Sequence, residues 1–345
     1  MNEVRPWIIL ILFFWNYQDA SGQVIQVGVI DHYGTRTADV KFEECLPFRI
    51  NDTIKFLTDS ISYVNTKRQI VDCILNQPSI KQADISFVCC YEEGKWMAFI
   101  GTSDKPKADF NSNSKTKDVR LPAEFTESYD SLMNLIVETI QNGQATEDDS
   151  EGHALFDYPP CRKIQERFKV YAAHHLGLLR DVIQHSKYPH EREAAVTIIA
   201  YYHDKKDIVK DLEIGANDDH EGVRNDAVRA LGIILNYAQR RSDIRISISP
   251  DPFIQLMQSI SWTDRNKSSR VLLTMSDQRD PKLLKQLKET ILQPLVDMAV
   301  WQSYGHAMPG YVMLGRIAGW TDQEIHESAK RDRREMVAKM ISQIK

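Results

Sequence analysis

Between Pro189 and Leu235 a single helix-turn-helix pattern is written twice, and nothing else in the chain constrains its fold as much. In PHEREAAVTIIAYY and DHEGVRNDAVRALGIIL, Arg192 matches Arg224, Ala195 matches Ala227 and Ile199 matches Leu231, at a constant spacing of 32 residues. A second apolar helix, Asp204 to Ile214, lies between the copies. A period of this size built from paired helices predicts an α-solenoid, whose stacked repeats present a long curved surface. A third copy begins at Trp262-Thr-Asp-Arg-Asn-Lys267, where Arg265 matches Arg224 and Ser268 matches Ala227 at a spacing of 41 residues. The extra length fits an insertion at Arg245 to Pro250. Further helical periods run from Pro160 to Ile183, Leu283 to Trp301 and His306 to Gly319, and a charged last helix, Thr321 to Lys345, suits a solvent-facing cap.

With 345 residues, 42% of them hydrophobic, the chain has material for two cored domains and is not globally disordered. Its net charge of −5, from 43 basic and 48 acidic side chains, leaves no basic footprint for nucleic acid. The run Lys330-Arg331-Asp332-Arg333-Arg334 reads as a solvated helix face. Residues 1–22 read as a signal peptide: Arg5, an apolar stretch from Trp7 to Trp15, then Ala20-Ser21-Gly22. Nine apolar residues fall short of the roughly 20 that cross a bilayer, so cleavage near Gln23 and no stable membrane span are expected.

From residue 23 to 103 the period changes in an orderly way. Ile25, Val27 and Val29 alternate with Gln26 and Gly28 as in a strand, and Tyr33-Gly34-Thr35 breaks it. A short helix places Ala38, Phe42, Cys45 and Leu46 on one face, and Asn51-Asp52 marks a turn. A second helix starts at about Thr66 and turns Ile70, Cys73 and Ile74 inward. Two strands follow, around Ile85 to Cys89 and Trp96 to Ile100, with a turn at Glu92-Glu93-Gly94. The order is β-α-α-β-β.

Residues 104–121 are polar and read as a linker or exposed arm, after which Leu121-Pro122 opens a helix running to Asn142-Gly143. The acidic stretch at 144–153 reads as a mobile loop, without the spacing of a calcium loop. The five cysteines, Cys45, Cys73, Cys89, Cys90 and Cys161, have no zinc spacing. They read as small buried hydrophobes with room for one disulfide. Cys89 and Cys90, adjacent on a strand, are expected to point to opposite faces.

Val27-Gly-Val-Ile-Asp-His-Tyr-Gly-Thr-Arg36, Cys45-Leu-Pro-Phe-Arg-Ile-Asn-Asp52 and the closing pair of strands resemble the POTRA domain of bacterial envelope proteins over about 80 residues. That resemblance implies a sheet edge that accepts an extended strand. The repeat with Asp218, Val223-Arg224, Ala227 and Leu231 looks like a HEAT repeat, in which Asp218 or Asp219 caps the helix and Arg224 reaches an acid in the next turn. The whole chain resembles exported bacterial proteins that join a POTRA-like module to HEAT repeats, a group without an assigned activity. The shared phrases are Cys89-Cys90, Asp149-Ser-Glu-Gly-His-Ala-Leu155, Glu221-Gly-Val-Arg-Asn-Asp-Ala227 and Trp262-Thr-Asp-Arg-Asn-Lys267.

Three pairs, His190-Glu191, His220-Glu221 and His326-Glu327, raise an alternative function, a metal enzyme of the kind seen in HEAT-repeat hydroxylases of the deoxyhypusine type. In that family the pair directly precedes the small inward residues; here it sits at the helix start, where turn residues are exposed. No nucleophile elbow, H-E-x-x-H, P-loop or dinucleotide fingerprint occurs. The sequence thus predicts a mainly α protein: an α-solenoid of HEAT-like helix pairs at 122–345, preceded by a POTRA-like α/β domain. The expected function is a non-catalytic scaffold of the cell envelope, periplasmic or extracellular, that binds a protein partner and needs no cofactor or metal. Lys205, Lys206, Asp207 and Lys210, on the second helix of a pair, are the candidate binding residues. A self-associating structural component is a further alternative.

Overall fold

The computed structural model describes residues 26–35, 41–55, 60–89, 91, 94–105, 115–141 and 145–344. The expected signal peptide, Cys90 and the middle of the linker lie outside the described residues. The fold is mainly helical, with a small mixed three-stranded sheet near the N-terminus. The described residues form two compact units, one joining the stretch from 26 to 105 with residues from 254 onward, the other built from residues 115–253.

The sheet has the order β1-β3-β2, with β1 (Val27–Gly34) parallel to β3 (Trp96–Ser103) and β2 (Gln82–Val88) antiparallel to it. Where the sequence predicted a first helix, the described residues hold a single 3-10 turn, Phe42–Cys45. The second helix, α1 (Ser60–Leu75), starts a turn and a half before the expected Thr66. Its first turns carry Ile61 and Val64 on the solvent side, 71% and 60% exposed, which hides the amphipathic period there. A disulfide, Cys45–Cys73, ties the 3-10 turn to α1. Both cysteines border a core of Val27, Phe48, Ile54, Ile70, Ile74, Ile85 and Trp96. Cys89 is disulfide-bonded as well, so the expectation of mostly unpaired cysteines is corrected; Cys161 is a free, buried thiol.

In the unit at 109–253, α2 (Ala123–Gln141) is followed by a short hairpin, β4 (Glu147–Asp148) with β5 (Leu155–Phe156). Then come α3 (Pro159–His185), α4 (Pro189–Ile199), α5 (Lys205–Ala216) and α6 (Glu221–Gln239). The helices of the written-twice segment fall where the pattern placed them. Asp204 caps α5 by accepting from the backbone of Lys206 and Asp207. Ala195, Ala227, Ile199 and Leu231 are fully buried. The matched arginines do matching work: Arg192 Nη1 donates to the carbonyl of Ser186 at 2.8 Å, and Arg224 Nη1 to that of Asp218 at 2.9 Å. Each reaches back six residues to close the turn that precedes its own helix.

Two expectations fail here, one through ion pairing and the other through ion pairing together with main-chain hydrogen bonds. The acidic stretch at 144–153 is fastened rather than mobile: Glu147 pairs with Arg229, Asp149 with Arg240 at 2.8 Å and Glu151 with Lys169 at 2.9 Å. The end of the linker is docked too, since Lys117 N–H donates to His185 O and Lys117 O accepts from Lys187 N–H in return. Lys115 is buried and pairs with Asp218 at 3.1 Å.

The remaining helices are α7 (Asp251–Leu256), α8 (Trp262–Met275), α9 (Pro281–Ala299), α10 (Tyr304–Ile317), α11 (Asp322–Ser328) and α12 (Arg333–Gln343). The third repeat arginine conforms: Arg265 Nε donates to Ser259 O, six residues back, at 2.6 Å. The expected single cap helix at 321–345 is two helices, because Asp332 is the N-cap of α12 and accepts from Glu335 N–H. In this unit the sheet packs on α8, α9 and α10. Phe99 of β3 lies against Trp262 and Trp301, and Tyr33 donates to Ile260 O at 2.6 Å. A Cβ on Gly101 would sit 2.0 Å from that same carbonyl, so only glycine permits the approach. β3 is therefore buried on both faces.

Candidate interaction site

The four candidate binding residues begin α5, and the structure divides them. Lys205, at the first helical position, is buried, and its ammonium donates to Ala200 O and Tyr202 O at 2.7 Å and to His153 Nδ1 at 2.9 Å. All three of its protons are used, two on carbonyls that follow α4, where a cation is favoured by the helix dipole. Burial lowers its pKa to about 7, and it is removed from the candidate surface. His153 is held neutral, at about 3, by burial first and then by Lys205 and Lys169. Lys206, Asp207 and Lys210 are exposed. Asp207 pairs with Arg180 at 3.0 Å, and Arg180 also grips Asp211 at 2.9 Å. Lys210, 84% exposed, pairs with Glu213 at 2.7 Å. This face presents alternating charge with little apolar surface, suited to a polar rim contact.

The histidines of the His-Glu pairs lead to a second arrangement, across α2, α4 and α6. His190 Nε2 donates to Asp130 at 2.7 Å, and His220 Nδ1 lies 2.8 Å from Glu193. Each histidine thus meets a carboxylate of a neighbouring helix instead of the glutamate beside it. Glu191 turns the other way and accepts from Leu121 N–H at 2.9 Å. Glu193 fits only because residue 222 is glycine; a Cβ there would stand 1.9 Å from its carboxylate. Next to it, Asp226 accepts from Thr197 at 3.1 Å, Tyr129 at 3.3 Å and Asn225 at 2.9 Å.

Burial first, and Glu193 second, raise the Asp226 pKa to about 6. Burial and Asp226 raise the Tyr129 phenol well above its ordinary value, so it stays a donor. The hydrogen bond to Glu193 raises His220. The network can hold protons and orient helices. Among the described residues no group of three or more His, Cys, Asp or Glu side chains is placed to hold a metal. Sequence reading found His190 and His220 but missed Asp130, Glu193 and Asp226. Glu193 directly follows the repeat arginine Arg192 and Asp226 directly precedes the repeat alanine Ala227, where an acid reads as an ordinary surface residue.

Asp218 or Asp219 was expected to cap a helix, but the cap position of α6 is His220. Asp218 is instead the centre of a buried cluster, gripped by Arg192 through two bonds, of 2.8 and 2.7 Å. Despite burial, Arg192 and Lys115 hold its pKa below the ordinary carboxylate value. Arg192 also reaches Asp219 at 2.6 Å. No family model, curated protein or solved structure matches the chain. Among the described residues no helix is long and apolar enough to cross a membrane.

Proposed function

We propose that this chain is an exported, non-catalytic scaffold of the cell envelope, in which HEAT-type repeats hold a protein partner. The carrying observation is the repeated arginine device. Arg192, Arg224 and Arg265 each donate to the carbonyl six residues back, at positions the sequence period had matched. A motif that recurs with the same acceptor position, through Nη1 in Arg192 and Arg224 and Nε in Arg265, supports repeats that stack as a solenoid. The strand order β1-β3-β2 supports the POTRA-like reading of the sheet, with β2 as an edge for an extended segment. The Cys45–Cys73 disulfide supports an oxidising compartment. His190 and His220 are engaged by carboxylates of neighbouring helices, which favours binding over metal catalysis.

The partner surface in this reading includes Lys206, Asp207 and Lys210. Charge reversal at all three, with far-ultraviolet circular dichroism and melting unchanged, is expected to lower partner capture. Undiminished capture by the folded variant would move the surface elsewhere.

A further inference from the structure

Residues 115–121 lie along the turn between α3 and α4 in the manner of a bound peptide. Helix α3 ends at His185 and α4 begins at Pro189, and the last carbonyls of a helix have no partner within it. The segment supplies two of those partners. Lys115 Nζ donates to Ile183 O at 2.5 Å, where the helix dipole favours a cation, and Lys117 N–H donates to His185 O at 3.0 Å. Lys117 O accepts from Lys187 N–H at 2.9 Å, so residue 117 pairs in parallel with Ser186. Ser186 Oγ donates to Val119 O at 2.7 Å, and Leu121 N–H donates to Glu191 at 2.9 Å. Every second residue, 115, 117, 119 and 121, thus meets the turn or the start of α4, the period of an extended ligand. Lys115 and Leu121 are buried at the two ends, and residues 116–118 between them are exposed.

The receiving surface keeps its own partners without the segment. Arg192 holds Asp218 through two bonds, and His220 N–H adds a third at 2.9 Å. Withdrawal of Lys115, whose ammonium lies 3.1 Å from Asp218, therefore leaves that carboxylate paired. Arg192 also donates to Ser186 O, which ties the turn to the same arginine.

We propose that this turn is a docking groove for an extended, lysine-bearing segment of another protein, and that residues 115–121 occupy it in cis as a displaceable ligand. Asp218 and Ile183 O together take one lysine ammonium. His185 O, Lys187 N–H and Ser186 pair with the main chain and read no side chain. The place of Leu121 takes an aliphatic residue six positions after the lysine. A tethered occupant competes at an effective concentration on the order of millimolar, so an incoming segment needs stronger or additional contacts. The groove lies beyond the C-terminal end of α5, whereas Lys206 is near its start, so its failure and that of the Lys206, Asp207 and Lys210 surface are separable.

The test titrates the full chain with a fluorescent peptide of the sequence Lys-Thr-Lys-Asp-Val-Arg-Leu, blocked at both ends, and reads anisotropy. Lys115→Gln loosens the resident segment, so this variant is expected to bind the peptide at least about tenfold more tightly than the wild-type chain does. A control peptide with uncharged norleucine in the first position is expected to bind the variant at least about tenfold more weakly, the loss of one charge-assisted pair. A variant that binds no better than wild type, or a control peptide that binds equally well, would overturn the groove. Hydrogen exchange of the wild-type chain covers a variant that fails to fold. The amides of Lys117, Leu121 and Lys187 are expected to exchange by local opening that low urea leaves unchanged, while Ile198 and Ile199 exchange only with global unfolding. Exchange of all five at the global rate would make the segment a fixed part of the fold and overturn the proposal. Wild-type dimers that Lys115→Gln abolishes would assign the groove to a second copy and overturn the choice of partner.

Discussion

Arg192, Arg224 and Arg265 were recognisable as equivalent from spacing alone, but not what they bond. Spacing reports that a residue type recurs on one helix face; whether its partner is a side chain or a carbonyl depends on the turn before the helix. Arg224 was expected to reach an acid, and it reaches the main chain of Asp218 and Asp219. The fully buried Asp218 depends on Arg192, so Arg192→Ala should lower stability by about 3 kcal/mol in urea unfolding, because it strands a buried charge. A loss below about 1 kcal/mol would mean that Lys115 alone suffices.

Asp226 gives a pH dependence. Its folded pKa, about 6, lies above the ordinary carboxylate value, so the protonated form is favoured by folding. Its contribution is full below about pH 4 and is lost as pH rises through 6, a span worth about 2 kcal/mol. Asp31, raised to about 6 by burial, changes in the same direction. Asp226→Asn should therefore flatten, without abolishing, the fall in stability between pH 4 and 7 measured by denaturant titration. An unchanged slope would show that Asp226 keeps its ordinary value. Lys205 shows the limit of sequence at this scale. A lysine just after the N-cap looks exposed on a helical wheel, yet it turns back onto the carbonyls that end α4.

Among the elements, α4, α5 and α6 were legible because their apolar period, Asp204 cap and small residues agree with one another. The start of α1 was not, since Ile61 and Val64 face solvent and blur the period. The break between α11 and α12 was written as Asp332, a capping residue hidden in a charged run. The hairpin β4–β5 was hidden for a similar reason: its acids look solvated until Arg229, Arg240 and Lys169 are placed opposite them. The Cys45–Cys73 link closes a loop with a sequence separation of 28 residues. Replacing both cysteines by serine should reduce stability of this element by about 3–4 kcal/mol on the chain-entropy estimate. Denaturant unfolding of the double variant checks this, and a value near zero would show that the core of Ile70, Ile74 and Phe48 suffices.

At the scale of the molecule, the sheet and residues 254–345 belong to one unit, although the other unit separates them in sequence. The clue in the sequence was β3, Trp96-Met-Ala-Phe-Ile-Gly101, a continuous apolar run where a strand buried on one face would alternate. What it packs against follows from no local pattern, because Tyr33 meets Ile260 across 227 positions. Gly101→Ala should destabilise the protein by at least about 2 kcal/mol through the clash with Ile260 O, read as a lowered melting temperature. The central claim is that the chain works by holding another protein, and crosslinking it in its native envelope fraction tests this most directly. The account predicts one recurrent partner, with crosslinks at Lys206 and Lys210. Crosslinks only between copies of the chain itself, or none at all, would contradict it.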